Sequence, residues 1–171
     1  MKKIVSLVLG LTMLFCTLAL SSCDLNLGSI VGQSNTQVGQ SNTQKEEEFY
    51  NLVSDTQELL DEYADDIYSC WYDYIYEDEY SSVDSAILSA MIRNSDNIDI
   101  IEANNEQIKE LYKKAKDGKL KSEVKDVMQA YNDYYAFVME VSGSFNSFSA
   151  SKETLKKELS SALKNLEFEL D

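Results

Sequence analysis

Apolar residues recur at spacings of three and four positions throughout residues 45–171, and no stretch shows a sustained alternation of apolar and polar residues. This spacing matches the turn of an α-helix, about 3.6 residues, and places the apolar side chains on one face. The chain also contains no proline, the residue that most strongly interrupts the interior of a helix. The pattern therefore predicts an all-α domain.

Four apolar stripes divide this domain into predicted helices. They run over residues 49–74, 87–115, 120–141 and 155–170, and the second is interrupted by Asn94, Ser95, Asp96 and Asn97. Because asparagine, serine and aspartate side chains compete for backbone hydrogen bonds, we expect a kink or a short break there. Four amphipathic helices with short connections predict an antiparallel up-down bundle of about four helices.

Several residues mark the predicted ends of these helices. Ser81 and Asp84 have the spacing of a capping box at the start of the second helix. Gly118 follows a lysine-rich turn, and this combination predicts the end of the same helix. Either Ser149 or Ser151 is placed to cap the last helix.

Charge and composition exclude several functional classes. The chain has 15 basic and 30 acidic residues, which disfavours nucleic acid, because such binding depends on cations that neutralise phosphates. Without histidine, the chain lacks the commonest general base and histidine-ligated zinc. The acidic run at 77–79 lacks the alternating ligands and the glycine of a calcium loop, so we interpret it as a solvated helix end. We therefore expect no catalytic residues, no metal site and no cofactor.

The first residues have the parts of a secretory signal. Met1-Lys2-Lys3 is followed by an uncharged stretch, residues 4–20, and then by small residues before Cys23. The alternative, a transmembrane helix, is disfavoured because the apolar span is slightly short for one. We therefore predict a signal peptide at residues 1–22, with cleavage between Ser22 and Cys23.

The segment Leu20-Ser21-Ser22-Cys23 resembles the lipobox of bacterial lipoproteins, in which leucine and small residues precede a cysteine. The resemblance implies that Cys23 receives a diacylglyceryl thioether and often an N-acyl chain such as palmitate. Two or three acyl chains hold a protein stably on a bilayer. The resemblance thus implies an extracytoplasmic location on the cell membrane, with the membrane as partner through the lipid on Cys23.

Three segments of the helical domain carry a second resemblance. They are Trp71-Tyr72-Asp73-Tyr74-Ile75-Tyr76, Tyr131-x-x-Tyr134-Tyr135 and Ser142-Gly143-Ser144-Phe145. With them, the domain is similar to small uncharacterised lipoproteins of Firmicute-type bacteria. This resemblance implies an all-helical domain and carries no assigned activity.

Residues 23–44 are predicted to link the lipid to the helical domain. Within them, residues 25–44 carry no charge, and the seven-residue sequence at 31–37 is repeated without change at 38–44. Gly, Ser, Asn, Thr and Gln offer little surface to bury, so we expect a flexible linker. The acidic helical domain then occupies residues 45–171.

The first predicted helix has an unusual surface. Residues 45–80 hold thirteen acids against one lysine, seven of the eleven tyrosines and the only tryptophan. If Ile67 and Trp71 face the core, helical spacing places a row of tyrosines on a separate flank with two acids nearby. The tyrosine flank comprises Tyr68, Tyr72 and Tyr76, and the acids are Asp61 and Asp65. Tyrosine rings bind cations and sugars through their faces, so this flank is a candidate ligand surface.

One alternative to a ligand surface remains open. In it, neighbouring helices bury the tyrosine rings, and the exposure of Tyr68, Tyr72 and Tyr76 decides between the two arrangements. At the level of function, the sequence favours a non-catalytic binding or scaffold module of the cell envelope, with a cationic or cell-wall ligand or an envelope protein as partner. The alternatives are a sensor or accessory subunit of an envelope complex, and an envelope hydrolase that uses carboxylates alone.

Overall fold

The computed structural model describes the backbone from Asn35 to Asp171 and the side chains from Asn42 onward. Five α-helices cover most of this part: α1 (Asn35–Tyr76), α2 (Val83–Arg93), α3 (Ser95–Ala115), α4 (Lys121–Met139) and α5 (Phe145–Leu170). The described residues contain no β-strand. The predicted all-α class is therefore confirmed.

Helix α1 is the centre of the domain, because it packs against each of the other four helices. Hydrogen bonds from α1 show how the other helices run. As residue numbers rise along α1, the numbers of its partners on α5, on α3 and just before α3 fall: Thr56 with Asn104, Asp66 with Asn94, Gln57 with Ser160, and Asp65 with Lys152. The numbers of its partners on α4 and just before α4 rise: Glu46 with Leu120, and Asp61 with Tyr134. Helices α3 and α5 thus run opposite to α1, and α4 runs with it.

The core is formed largely by the predicted apolar stripes, except on α2, where Met91 is exposed and Ala86 and Ala90 are buried. On α1, Phe49, Val53, Leu60 and Ile67 are fully buried, and Trp71 is nearly so. Each such side chain stabilises the fold by roughly 1.5–3 kcal/mol relative to an exposed position. Since Ile67 and Trp71 face inward, the direction assumed for the core face of α1 is correct.

Helix α1 begins at Asn35 rather than at Lys45, so residues 35–44 of the expected flexible linker are helical. Once a helix is nucleated, each further residue adds a hydrogen bond at little entropic cost, and no proline stops it here. The side chain of Gln44 also donates to Glu48, one turn later, at 2.9 Å. The expectation of a flexible linker is thus corrected for 35–44. The predicted signal peptide, Ser22, Cys23 and the linker to residue 34 lie outside the described residues.

The break predicted in the second helix is present. Helix α2 ends at Arg93, α3 begins at Ser95, and Asn94 stands between them. The buried amide of Asn94 donates to the backbone carbonyl of Ala90 at 3.0 Å and to the Asp66 carboxylate at 2.7 Å. The asparagine side chain therefore fixes the break against α1.

Two helices are capped by other serines than those predicted. Helix α2 is capped by Ser82 and not by Ser81, since the Ser82 hydroxyl accepts from the backbone N–H of Ser85 at 3.1 Å. Helix α5 is capped in the same way by Ser144, several residues before the predicted Ser149 or Ser151. In both helices a serine at the third position replaces the usual acid of the capping box.

Candidate functional site

The tyrosine flank follows the last two turns of α1, where the first residue of α5 joins it. The ring of Phe145 stacks on Tyr68, with the two ring centroids 5.0 Å apart. The same ring lies 6.3 Å from the Tyr72 ring and 6.4 Å from the Tyr76 ring. Tyr72 and Tyr76 also contact each other, with centroids 4.6 Å apart. The four rings thus form one continuous aromatic surface.

Exposure divides the tyrosine flank into an inner and an outer part. Tyr68 is half-buried beneath Phe145, whereas Tyr72 is 40% exposed and Tyr76 is 59% exposed. Ile75, between the two outer tyrosines in sequence, is exposed as well. Neighbouring helices therefore bury only the inner ring, and the two outer rings stay open to a ligand.

The inner part is occupied by a cation of the protein itself. The Lys152 ammonium lies 4.8 Å from the centroid of the Tyr68 ring and donates to the Asp65 carboxylate. This lysine is largely buried although it is charged. A cation over an aromatic face is the interaction that we expected from a ligand, and here α5 supplies it.

Asp61 and Asp65 are bonded to residues of α4 and α5. Asp61 accepts a hydrogen bond from the Tyr134 hydroxyl at 2.6 Å and forms an ion pair with Lys156 at 3.0 Å. The hydrogen bond with Asp61 raises the pKa of Lys156 above its ordinary value. Since Asp65 is paired with Lys152, both predicted acids already have protein partners. The structure thus brings Tyr68, Asp65 and Lys152 together, and it bonds the two acids to α4 and α5 rather than to Tyr72 or Tyr76.

Other acids lie next to the open rings. Helix α1 ends at Tyr76, and the exposed residues Glu77, Asp78 and Glu79 follow at once. Asp78 has a positive φ of 53°, so the chain turns sharply there. None of these three carboxylates forms an ion pair with another residue of the described part. The predicted solvated helix end is therefore also the acidic edge of the open aromatic surface.

Phe145 is the site residue that sequence reasoning missed. It lies between the third predicted stripe, 120–141, and the fourth, 155–170, and the structure places it at the start of α5. The signal for its true position is the pair Ser144 and Ser147, which cap α5 through reciprocal hydrogen bonds at 2.9 and 3.2 Å. A capping box at 144–147 places Phe145 at the first turn of the helix.

Cys70, Tyr80 and Arg93 are reactive or charged side chains away from the tyrosine flank, and they contact one another. Cys70 is fully buried, and its sulfur accepts a long hydrogen bond from the Tyr80 hydroxyl at 3.5 Å. The Arg93 guanidinium donates to the same hydroxyl at 2.9 Å. No group of three potential metal ligands occurs among the described residues.

Two findings bear on the context of the site. No helix in the described part of the chain is long and apolar enough to cross a membrane. No family model matches this chain, and neither the curated proteins nor the solved structures include a match.

Proposed function

We propose that this chain is an extracytoplasmic lipoprotein, anchored through Cys23, whose helical domain is a non-catalytic binding module of the cell envelope. The anchor is supported by the lipobox-like Leu20-Ser21-Ser22-Cys23 after an uncharged apolar stretch. The contact surface is the outer part of the tyrosine flank, Tyr72 and Tyr76. Its ligand is cationic or is a fragment of the cell wall.

One observation carries the choice of surface. Tyr72 is 40% exposed and Tyr76 is 59% exposed, and the two rings pack on each other with their planes inclined at 42°. Tyrosine faces attract cations and stack on sugar rings, and the hydroxyl groups supply hydrogen bonds. The carboxylates at 77–79 raise the local negative potential, which favours a positively charged ligand.

The test measures binding of two soluble probes, a quaternary ammonium compound and a neutral N-acetylated amino-sugar disaccharide of the cell-wall type, by calorimetric titration. We expect Y72A/Y76A to weaken binding of the preferred probe about tenfold or more, because each exposed cation–aromatic contact contributes on the order of 0.5–1 kcal/mol or more. The matched control is Phe168→Ala, since Phe168 is a ring on α5 that is 78% exposed.

Added salt separates the two ligand classes. Binding of the cationic probe weakens as salt rises, whereas stacking of a neutral sugar is little affected. Equal affinity in the wild type and Y72A/Y76A, or no binding of either probe, would contradict the proposed surface.

A further inference from the structure

Helix α2 leaves three of its large side chains outside. Ala86 and Ala90 are fully buried against the rest of the domain, and Val83 and Ile87 are partly buried against its core. On the other side of the helix, Leu88 is 54% exposed, Ile92 is 66% exposed, and Met91 is also exposed. An amphipathic helix normally turns its large aliphatic residues toward the core. The arrangement of α2 therefore leaves a second apolar face without a partner among the described residues.

Beyond the break at Asn94, one large aliphatic side chain of α3 is exposed as well, since Ile100 is 48% exposed. The break separates Ile100 from the exposed face of α2. The outer strip is therefore defined by three residues of α2: Leu88, Met91 and Ile92.

Scattered apolar residues on a surface are ordinary, but a contiguous strip is typical of an interaction site. Leu88, Met91 and Ile92 have the i, i+3 and i+4 spacing with which one helix receives another. The inner alanines have a complementary effect, since they let α2 lie close to α1 without placing its larger residues in the core. The outer strip thus has the shape and composition of a helix-binding face.

Charge around the outer strip selects the partner. Asp84, Asp96, Asp99 and Glu102 are exposed along the same segment. Arg93 is the only basic residue in 83–102, and it is engaged with the Tyr80 hydroxyl. A second copy of this chain would place the same acids against this surface, and an anionic lipid surface would place phosphates there. In both cases the negative charges would repel the acids around the outer strip. A partner with lysine or arginine beside its apolar face is favoured.

We infer that the outer strip docks an amphipathic helix of another protein, with leucine or isoleucine on its contact face and lysine or arginine on its flanks. This inference does not depend on the tyrosine flank, which belongs to the other proposed surface. Aliphatic contact supplies the affinity, and the flanking charges supply orientation and rate of association.

The test uses a synthetic helical peptide with a leucine face and lysine flanks, labelled with a fluorophore and titrated with the full chain. We expect saturable binding that L88Q/I92Q weakens about tenfold or more, because the change removes two of the three aliphatic side chains of the strip. Phe168→Gln, an apolar-to-amide change at a ring on α5 that is 78% exposed, is expected to leave binding unchanged. D96N/D99N is expected to weaken binding and to reduce its dependence on salt.

Four outcomes would overturn the inference. They are failure of the lysine-flanked peptide to bind, equal binding to L88Q/I92Q, equal binding of a glutamate-flanked peptide, and self-association or binding to anionic phospholipid vesicles that L88Q/I92Q abolishes. Because Leu88 and Ile92 are exposed, the circular dichroism of the variant is expected to match the wild type. Y72A/Y76A separates the two proposals, since it is expected to leave peptide binding intact.

Discussion

Glu46 is fully buried, yet only one of its carboxylate oxygens has a hydrogen-bond partner in the described part of the chain. That oxygen accepts from the backbone N–H of Leu120 at 2.7 Å and so ties the N-terminal part of α1 to the start of α4. The absence of a side chain at Gly118 makes this approach possible, because a Cβ there would lie 2.2 Å from the same oxygen. Glycine is needed here for space rather than for an unusual backbone angle.

Gly118→Ala is expected to destabilise the domain by about 1–3 kcal/mol, through overpacking or loss of the Glu46 hydrogen bond. Chemical denaturation measures the free energy of unfolding. The Glu46→Ala background removes the atom that the new methyl group meets, so the cost of Gly118→Ala should fall in the double variant. Identical costs in both backgrounds would contradict the contact.

Tyr131 and Tyr134 give the domain a dependence on alkaline pH. Burial raises the pKa of both above the ordinary value of about 10, and the hydrogen bond to Asp61 raises the pKa of Tyr134 further. A raised pKa in the folded state means that the stabilisation is complete below about pH 10 and is lost as the pH rises above it. Burial thus makes these two phenols a source of alkaline instability.

Y131F/Y134F is expected to flatten the decline in unfolding free energy above about pH 10, because phenylalanine has no proton to lose. Lysines also titrate near this pH, but they are the same in both proteins, so the difference between the two curves isolates the tyrosines. Superimposable pH profiles, after correction for the offset at neutral pH, would show that the two phenols do not titrate with unfolding.

At the level of single helices, the spacing of apolar residues and the residues typical of helix ends predicted some features and missed others. The apolar spacing located all the helices, and the polar group at 94–97 located the break at Asn94. The start of α1 was missed, because helix propagation from a stable segment carries through residues that have no apolar face of their own. The caps were missed because serine at the third position is a weaker signal than glutamate or aspartate.

The cap of α2 provides a test with a neighbouring control. Ser82→Ala is expected to lower the unfolding free energy by roughly 0.5–2 kcal/mol, since it removes the acceptor for the N–H of Ser85. Ser81→Ala changes the adjacent exposed serine, whose hydroxyl makes only a 3.4 Å contact with the Ser85 hydroxyl, and should cost much less. An equal or larger effect of Ser81→Ala in thermal unfolding would favour the cap predicted from the sequence.

At the scale of the whole molecule, sequence reasoning placed Tyr68, Tyr72 and Tyr76 on one flank but misjudged its electrostatics. Helical spacing fixes the direction of side chains on α1, whereas the lysines that reach Asp61 and Asp65 come from α5, about ninety residues later in the chain. Contacts of such separation depend on how helices pack and leave no local pattern. For the same reason, the outer strip could be recognised only once the structure showed which side of α2 is buried.

The proposed anchor leads to a prediction about lipidation. Cys23→Ser is expected to abolish the lipid mass on the N-terminal peptide in its own host, because the thioether requires the cysteine sulfur. Ser22→Ala preserves a small residue before the cleavage site and should keep the lipid. Mass spectrometry of the N-terminal peptide, with detergent partitioning of the chain, measures the result. A Cys23→Ser chain that stays lipidated would contradict the anchor.

The central claim is that the anchored domain presents Tyr72 and Tyr76 to a ligand in the envelope. The most direct measurement places a photocrosslinking amino acid at position 76 in the full chain in intact cells, and at position 168 as the exposed control. We expect a discrete adduct from position 76 that Tyr72→Ala diminishes and that position 168 does not form. The same adducts at both positions, or none at position 76, would contradict it.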